Sequence, residues 1–127
     1  MRFHEYTKAL KIAKLLYDLD GDNPYTLIQD YHQMTRITLL AQDYPLAKLY
    51  VQGGLELNQA DIGLRLLDIY TLTLNDEQQA AETALTKLNG LLDKKKREEM
   101  VTNDLNRFKT DGLSEADIVK LRQVFNR

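Results

Sequence analysis

The chain of 127 residues contains no cysteine, only two prolines and only six glycines. The absence of cysteine excludes disulfides, thiolate metal sites and cysteine nucleophiles. The scarcity of proline and glycine favours long helices over many short strands. Neither sign of charge dominates, because the sequence has 17 Lys and Arg residues and 19 Asp and Glu residues. This balance argues against a polycation that coats nucleic acid or an anionic membrane.

Long hydrophobic runs are also missing. No stretch approaches the roughly 18 apolar residues of a membrane span, and charges throughout the first twenty residues leave no apolar core for a signal peptide. We therefore expect no membrane insertion and a cytoplasmic location. With 43% hydrophobic and 28% charged residues, the composition is that of one globular domain rather than a disordered tail.

Apolar residues recur at steps of three and four along most of the chain, which is the spacing of amphipathic helices. No window alternates like a strand, so we predict an all-α fold. The seven predicted helices lie at about 3–19, 24–42, 46–57, 60–74, 77–88, 91–109 and 115–125. Asn75 or Asp76 is expected to cap the fifth helix, and Ser114, three residues before Asp117, is expected to cap the last.

The sequence contains an internal repeat. A shift of 33 residues places the second and third helices on the fourth and fifth: Met34 falls on Leu67, Thr38 on Thr71, Asp43 on Asp76 and Ala47 on Ala80. A shift of 38 places the first helix on the third. The chain therefore reads as half a repeat followed by two helix-turn-helix repeats.

Small residues stand at the positions where neighbouring helices would approach closely, namely Ala47, Ala80, Gly53 and Gly54. A glycine inside a helix costs about 0.5–1 kcal/mol relative to alanine, so a packing reason is favoured over a helix broken at Gly53-Gly54. In this register, Ala47→Leu should be more destabilising than Ala81→Leu.

The segment Asp43-Tyr44-Pro45-Leu46-Ala47, with Gly54 and the ending Leu55-Glu56-Leu57-Asn58, resembles the second helix of a tetratricopeptide repeat. The likeness covers about residues 3–90. Gln59 stands where that family usually has proline, Lys87 replaces the later small residue, and the Trp and Gly-Tyr positions of the first helix are lost. The resemblance implies antiparallel helix pairs stacked as a short right-handed superhelix over 1–90, with capping helices over 91–127, in one domain.

In the tetratricopeptide family the first helix of each pair lines a concave, partner-binding face. The corresponding positions here are Gln29, His32, Gln33 and Arg36 in the first complete repeat and Ile62, Arg65, Ile69 and Leu72 in the second. Arg36 and Arg65 would then lie in one concavity. Such a groove suits an amphipathic helix or an extended segment that bears some acid.

The chain also resembles small stand-alone helical-repeat chaperones of bacterial secretion systems. This resemblance, which rests on the small size, the lack of a catalytic domain and the half-repeat start, implies a chaperone or adaptor that binds another protein. The alternative is a structural module that assembles as a homodimer, because the first helix has no partner helix in the chain.

The other motifs in the sequence give weaker evidence of function. Acidic residues at 18, 20 and 22 match the start of an EF-hand loop, but Gln29 replaces its twelfth-position glutamate. No catalytic or phosphate-binding motif occurs, and His4 and His32 have no cysteine to join them, so we expect neither an enzyme nor a cofactor or metal site. The basic run Lys94–Arg97 is followed by Glu98-Glu99, which predicts a solvated face with internal pairing rather than a nucleic-acid patch.

Overall fold

The computed structural model describes residues 24–126, with side chains from residue 28 onward. This part is all-helical, as predicted. Its helices are α1 (Pro24–Leu40), α2 (Tyr44–Leu57), α3 (Ile62–Leu74), α4 (Gln78–Asn89), α5 (Lys94–Thr110) and α6 (Glu115–Phe125). The predicted helix at 3–19 and the acidic loop at 18–22 lie outside the described residues. No helix within 24–126 is both long enough and apolar enough to cross a membrane.

Short polar side chains begin most of these helices. Asp43, Asp61 and Asp93 accept a hydrogen bond from the backbone amide three residues later, which satisfies an amide that has no partner within the helix. Ser114 does the same for Asp117 at 3.2 Å, as predicted. The predicted cap at Asn75 or Asp76 is wrong.

The residue before α4 is Glu77, and its side chain makes no capping hydrogen bond. Asp76 instead occupies the turn with a φ of 60°, a left-handed conformation that Asp tolerates better than most residues.

The same turn connects the two helices in each of three successive pairs, namely α1 with α2, α3 with α4 and α5 with α6. In each turn, a backbone amide donates a hydrogen bond to the carbonyl oxygen of the residue five positions earlier. These bonds run from Asp43 to Thr38 at 2.9 Å, from Glu77 to Leu72 at 2.8 Å and from Leu113 to Phe108 at 2.9 Å. The preceding residue has a positive φ each time: 63° at Gln42, 60° at Asp76 and 105° at Gly112. This pair of features is the Schellman ending of a helix. The first two turns are 34 residues apart.

The buried faces of α2 and α4 also correspond at a spacing of 34 residues. Ala47 and Ala81 both have 0% of their surface exposed, whereas Ala80 is exposed. The predicted 33-residue correspondence of Ala47 with Ala80 is therefore wrong by one position at this helix. The identical residues Asp43 and Asp76 are responsible, because one caps a helix and the other forms the left-handed turn.

Helix α3 lies at the centre of the fold and packs against α1, α2, α4 and α6. Nine of its residues are buried. The Tyr70 ring meets Phe108 of α5 edge-on, with ring centres 5.6 Å apart, and lies 5.9 Å from Phe125 of α6. Residues of α5 and α6 thus share one hydrophobic core with the helix pairs before them.

Helix α2 continues through Gly53 and Gly54 without a break. Gly54 is buried, and a Cβ atom on it would lie 2.8 Å from Leu64 Cδ1 and 3.0 Å from Tyr31 Cβ. Both distances are below normal van der Waals contact, so the close approach of α1, α2 and α3 requires glycine here.

Candidate functional site

Helices α1, α3 and α5 line a groove of about 560 Å³, which we call the α1/α3/α5 groove. Its apolar surface comes from Ile37, Leu40, Leu67 and Met100. Its polar surface comes from Gln29, His32, Gln33, Arg36, Asp104, Arg107 and Asp111, and Gly63 completes the wall. An apolar surface with a few convergent polar groups is the usual composition of a binding groove.

Arg36 lies at the centre of this groove. Its guanidinium stacks on the Phe108 ring, 4.7 Å from the ring centre, and lies 4.0 Å from Asp104 and 3.9 Å from Asp111. Only 14% of the side chain is exposed, and its Nη2 is buried without a hydrogen bond to any described residue. Burial and then the charge of Arg107 lower the pKa of Arg36, while the two carboxylates oppose that shift.

Tyr70 fixes the carboxylate of Asp104 beside this arginine. The Tyr70 hydroxyl donates a 2.8 Å hydrogen bond to Asp104 Oδ2. Burial raises the pKa of Asp104, and this bond and Arg36 partly counter the rise. Burial and the neighbouring carboxylate raise the pKa of Tyr70 well above its usual value. The Tyr70 hydroxyl is therefore a permanent donor near neutral pH, which orients Asp104 toward the groove.

His32 connects α1 to the start of α3. Its Nε2 lies 2.9 Å from Asp61 Oδ1, and the same oxygen accepts a 2.9 Å bond from the Leu64 amide as the cap of α3. The imidazole lies against Gly63, where a Cβ would be 2.3 Å from its Cε1. Gly63 therefore leaves room for the ring, and the ring positions the N-terminus of α3 next to α1.

The four residues predicted from the first repeat all come together in the groove. Gln29 and Gln33 are exposed, whereas His32 and Arg36 are partly buried in the contacts described above.

The four residues predicted from the second repeat do not join them. Arg65 and Leu72 line a separate groove of about 610 Å³ between α2, α3 and α4, which we call the α2/α3/α4 groove. Ile62 is partly buried against the core, and Ile69 has 0% exposure inside it. The expectation that Arg36 and Arg65 share one concavity is therefore wrong.

The one-residue difference in spacing explains part of this separation. Each residue advances a helix by about 100°, so an offset of one moves a side chain to another face. At the 34-residue spacing of the turns, Gln29 corresponds to Gly63 and Gln33 to Leu67, and both of these α3 residues line the α1/α3/α5 groove.

Sequence reasoning missed the contribution of α5, namely Met100, Asp104, Arg107 and Asp111. These residues lie beyond the region that resembles the repeat family. The Thr110-Asp111-Gly112 sequence was a usable signal, because it forms the third copy of the helix-pair turn. A third pair would have placed α5 beside α1 and α3.

The remaining polar groups give no sign of a metal centre. Within the described residues, no three His, Asp or Glu side chains are grouped so that they could hold a metal ion. The basic run Lys94–Arg97 makes no ion pair within 4 Å with Glu98, Glu99 or any other acid of the described chain. The predicted internal pairing of this run is therefore wrong.

No family model, curated protein or solved structure matches the chain. The groove's own geometry is therefore the basis for a functional hypothesis.

Proposed function

We propose that the chain is a non-enzymatic protein-binding module of the tetratricopeptide type, a chaperone or adaptor of the cytoplasm. Its α1/α3/α5 groove holds a helix or an extended segment of another protein. The observation that carries this proposal is that the first helices of three successive pairs line one groove. The repeated turn at the end of each first helix supports the same arrangement.

The charges in the groove indicate the chemistry of the partner. Asp104 and Asp111 already face Arg36, whereas Arg107 is exposed and has no ion pair within the described part of the chain. A partner segment that places an acid against Arg107 and apolar side chains against Leu40 and Met100 would be complementary.

The test compares the wild-type chain with a groove variant in affinity capture from the source cells, followed by mass spectrometry. The groove variant is Gln33→Glu with Arg107→Glu, because both side chains are exposed and neither packs in the core. Arg36 is unsuitable, since its stacking on Phe108 makes it part of the structure. We expect the partner's recovery to fall about tenfold or more through lost pairing and new repulsion.

The matched control is Gln79→Glu with Lys95→Glu, which makes the same types of change at exposed positions outside the groove. The control should retain the partner. Equal loss in both variants would show a nonspecific charge effect and contradict the proposal. Light scattering of the purified chain provides a second check, because a stable homodimer would favour the self-assembly alternative.

A further inference from the structure

A cavity of about 410 Å³ lies between α5 and α6, away from the α1/α3/α5 groove. Val101, Leu105 and Phe125 supply its apolar surface. Arg97 and Arg122 bring cationic groups to the same cavity, and Glu98 also lies at it. Core packing alone does not explain why two arginine side chains lie at a cavity with an apolar wall.

Arg97 is the unusual residue here, because it is a charged side chain with only 8% of its surface exposed. One of its nitrogens, Nη1, donates to Asn89 Oδ1 at the end of α4. Its Nε is buried and has no hydrogen-bond partner within the described part of the chain. A buried cation is normally paired with an acid, yet no carboxylate between residues 24 and 126 lies within 4 Å of Arg97.

The surroundings add further positive charge. Arg122 likewise has no ion pair among the described residues, and the exposed lysines 94–96 precede Arg97 on α5. Glu98 and the C-terminal end of α6, which carries negative partial charge, offset part of this field. The cavity therefore keeps an excess of positive charge that favours an anionic ligand.

We propose that this cavity binds a carboxylate that carries an apolar group. The planar guanidinium groups of Arg97 and Arg122 pair with the carboxylate, since their geometry matches its two oxygens. The apolar group packs against Val101, Leu105 and Phe125. Such a ligand supplies the counter-charge that Arg97 does not have among residues 24–126, and it fills the cavity at the same time.

The test is a titration of the whole chain with octanoate, followed by NMR of the arginine Nε–H groups and of the Val101 and Leu105 methyls. We expect saturable shifts at both kinds of group. Arg122→Gln changes an exposed side chain and should leave the fold intact. Losing one charge-assisted pair should weaken octanoate binding by about tenfold or more.

Two controls separate this site from general charge attraction. Lys95→Gln removes the same charge from an exposed position that does not line the cavity, and its affinity should stay within about twofold of wild type. Octanamide, the neutral counterpart, should bind much more weakly than octanoate. The proposal is wrong if octanoate causes no saturable shift, if inorganic phosphate binds as tightly as octanoate, or if Lys95→Gln weakens binding as much as Arg122→Gln.

Discussion

Replacing Ala81 with leucine is expected to destabilise the fold about as much as replacing Ala47, whereas Ala80→Leu is expected to have little effect. Ala47 and Ala81 are completely buried at equivalent positions of α2 and α4. Ala80 is their exposed neighbour. The three substitutions are chemically identical, so their order reports only the rotational position of each residue on its helix.

The size of the effect follows from overpacking. Leucine adds three carbon atoms where no surface is open to solvent, and forcing extra methylenes into a packed core typically costs about 1–3 kcal/mol. A surface substitution such as Ala80→Leu usually stays within about 0.5 kcal/mol. Because small proteins lose about 1–3 kcal/mol of stability per molar urea, the buried substitutions should lower the unfolding midpoint by on the order of 1 M.

Urea unfolding followed by circular dichroism at 222 nm (the helix signal) measures all three variants under the same conditions. The reasoning would be refuted if Ala80→Leu were the costly change and Ala81→Leu the mild one. That order would support the 33-residue register of the sequence alignment and would contradict the burial of α4 described above.

Three further substitutions test individual contacts. Gly54→Ala should destabilise the fold by about 1 kcal/mol or more, because its Cβ would lie 2.8 Å from Leu64. Tyr70→Phe should cost about 1–2 kcal/mol, because Asp104 loses its buried donor. Asp68→Asn should stabilise the fold at pH 7 by about 1 kcal/mol, since it removes a charge that burial disfavours and whose Oδ1 has no hydrogen-bond partner among the described residues. Urea unfolding measures each effect.

Each of these variants has its own control. Gly90→Ala should not destabilise, because Gly90 is exposed and its nearest obstacle, the Lys87 carbonyl oxygen, is 3.4 Å away. If Tyr70→Phe has the same effect in an Asp104→Ala background as in the wild type, the hydroxyl–carboxylate bond contributes nothing.

The gain from Asp68→Asn must depend on pH. Burial raises the pKa of Asp68 above its ordinary value of 3.8 in the folded state, so the folded chain holds a proton that the unfolded chain has already lost. The contribution of Asp68 to stability therefore falls as the pH rises from 3.8 through its folded-state pKa. The advantage of asparagine should vanish below pH 3.8, and a gain that is constant with pH would contradict the explanation.

The helices themselves were largely predictable from periodicity and turn residues, since α1 to α6 lie within a few residues of the predicted segments. The exact register between repeats was not. Identical residues can have different tasks, as Asp43 caps α2 while Asp76 forms a left-handed turn. The sequence alignment matched Asp43 with Asp76 because they are identical, and this shifted the predicted groove face of α3 by one residue. The prediction therefore named residues of the core and of the α2/α3/α4 groove, whereas Gly63 and Leu67 are the α3 residues that line the α1/α3/α5 groove.

Of the α1/α3/α5 groove, the α1 residues were predicted from the sequence, and the α3 and α5 residues were not. The α1 residues were found because they occupy the positions that line the partner-binding face in the tetratricopeptide family. The burial of Arg36 could not be foreseen, because it depends on Phe108 and Asp104, which lie about 70 positions further along the chain. Periodicity describes one helix at a time and contains no information on such distant contacts.

Site-specific photo-crosslinking in the source cells tests most directly whether the α1/α3/α5 groove is the docking surface. A photoreactive amino acid is placed at Gln33 in that groove, at Gln52 in the α2/α3/α4 groove, or at Gln79, which lines neither. We expect a covalent adduct with one partner protein from position 33 and none from positions 52 and 79. Adducts from position 52 alone, or equally from all three positions, would contradict the proposed function.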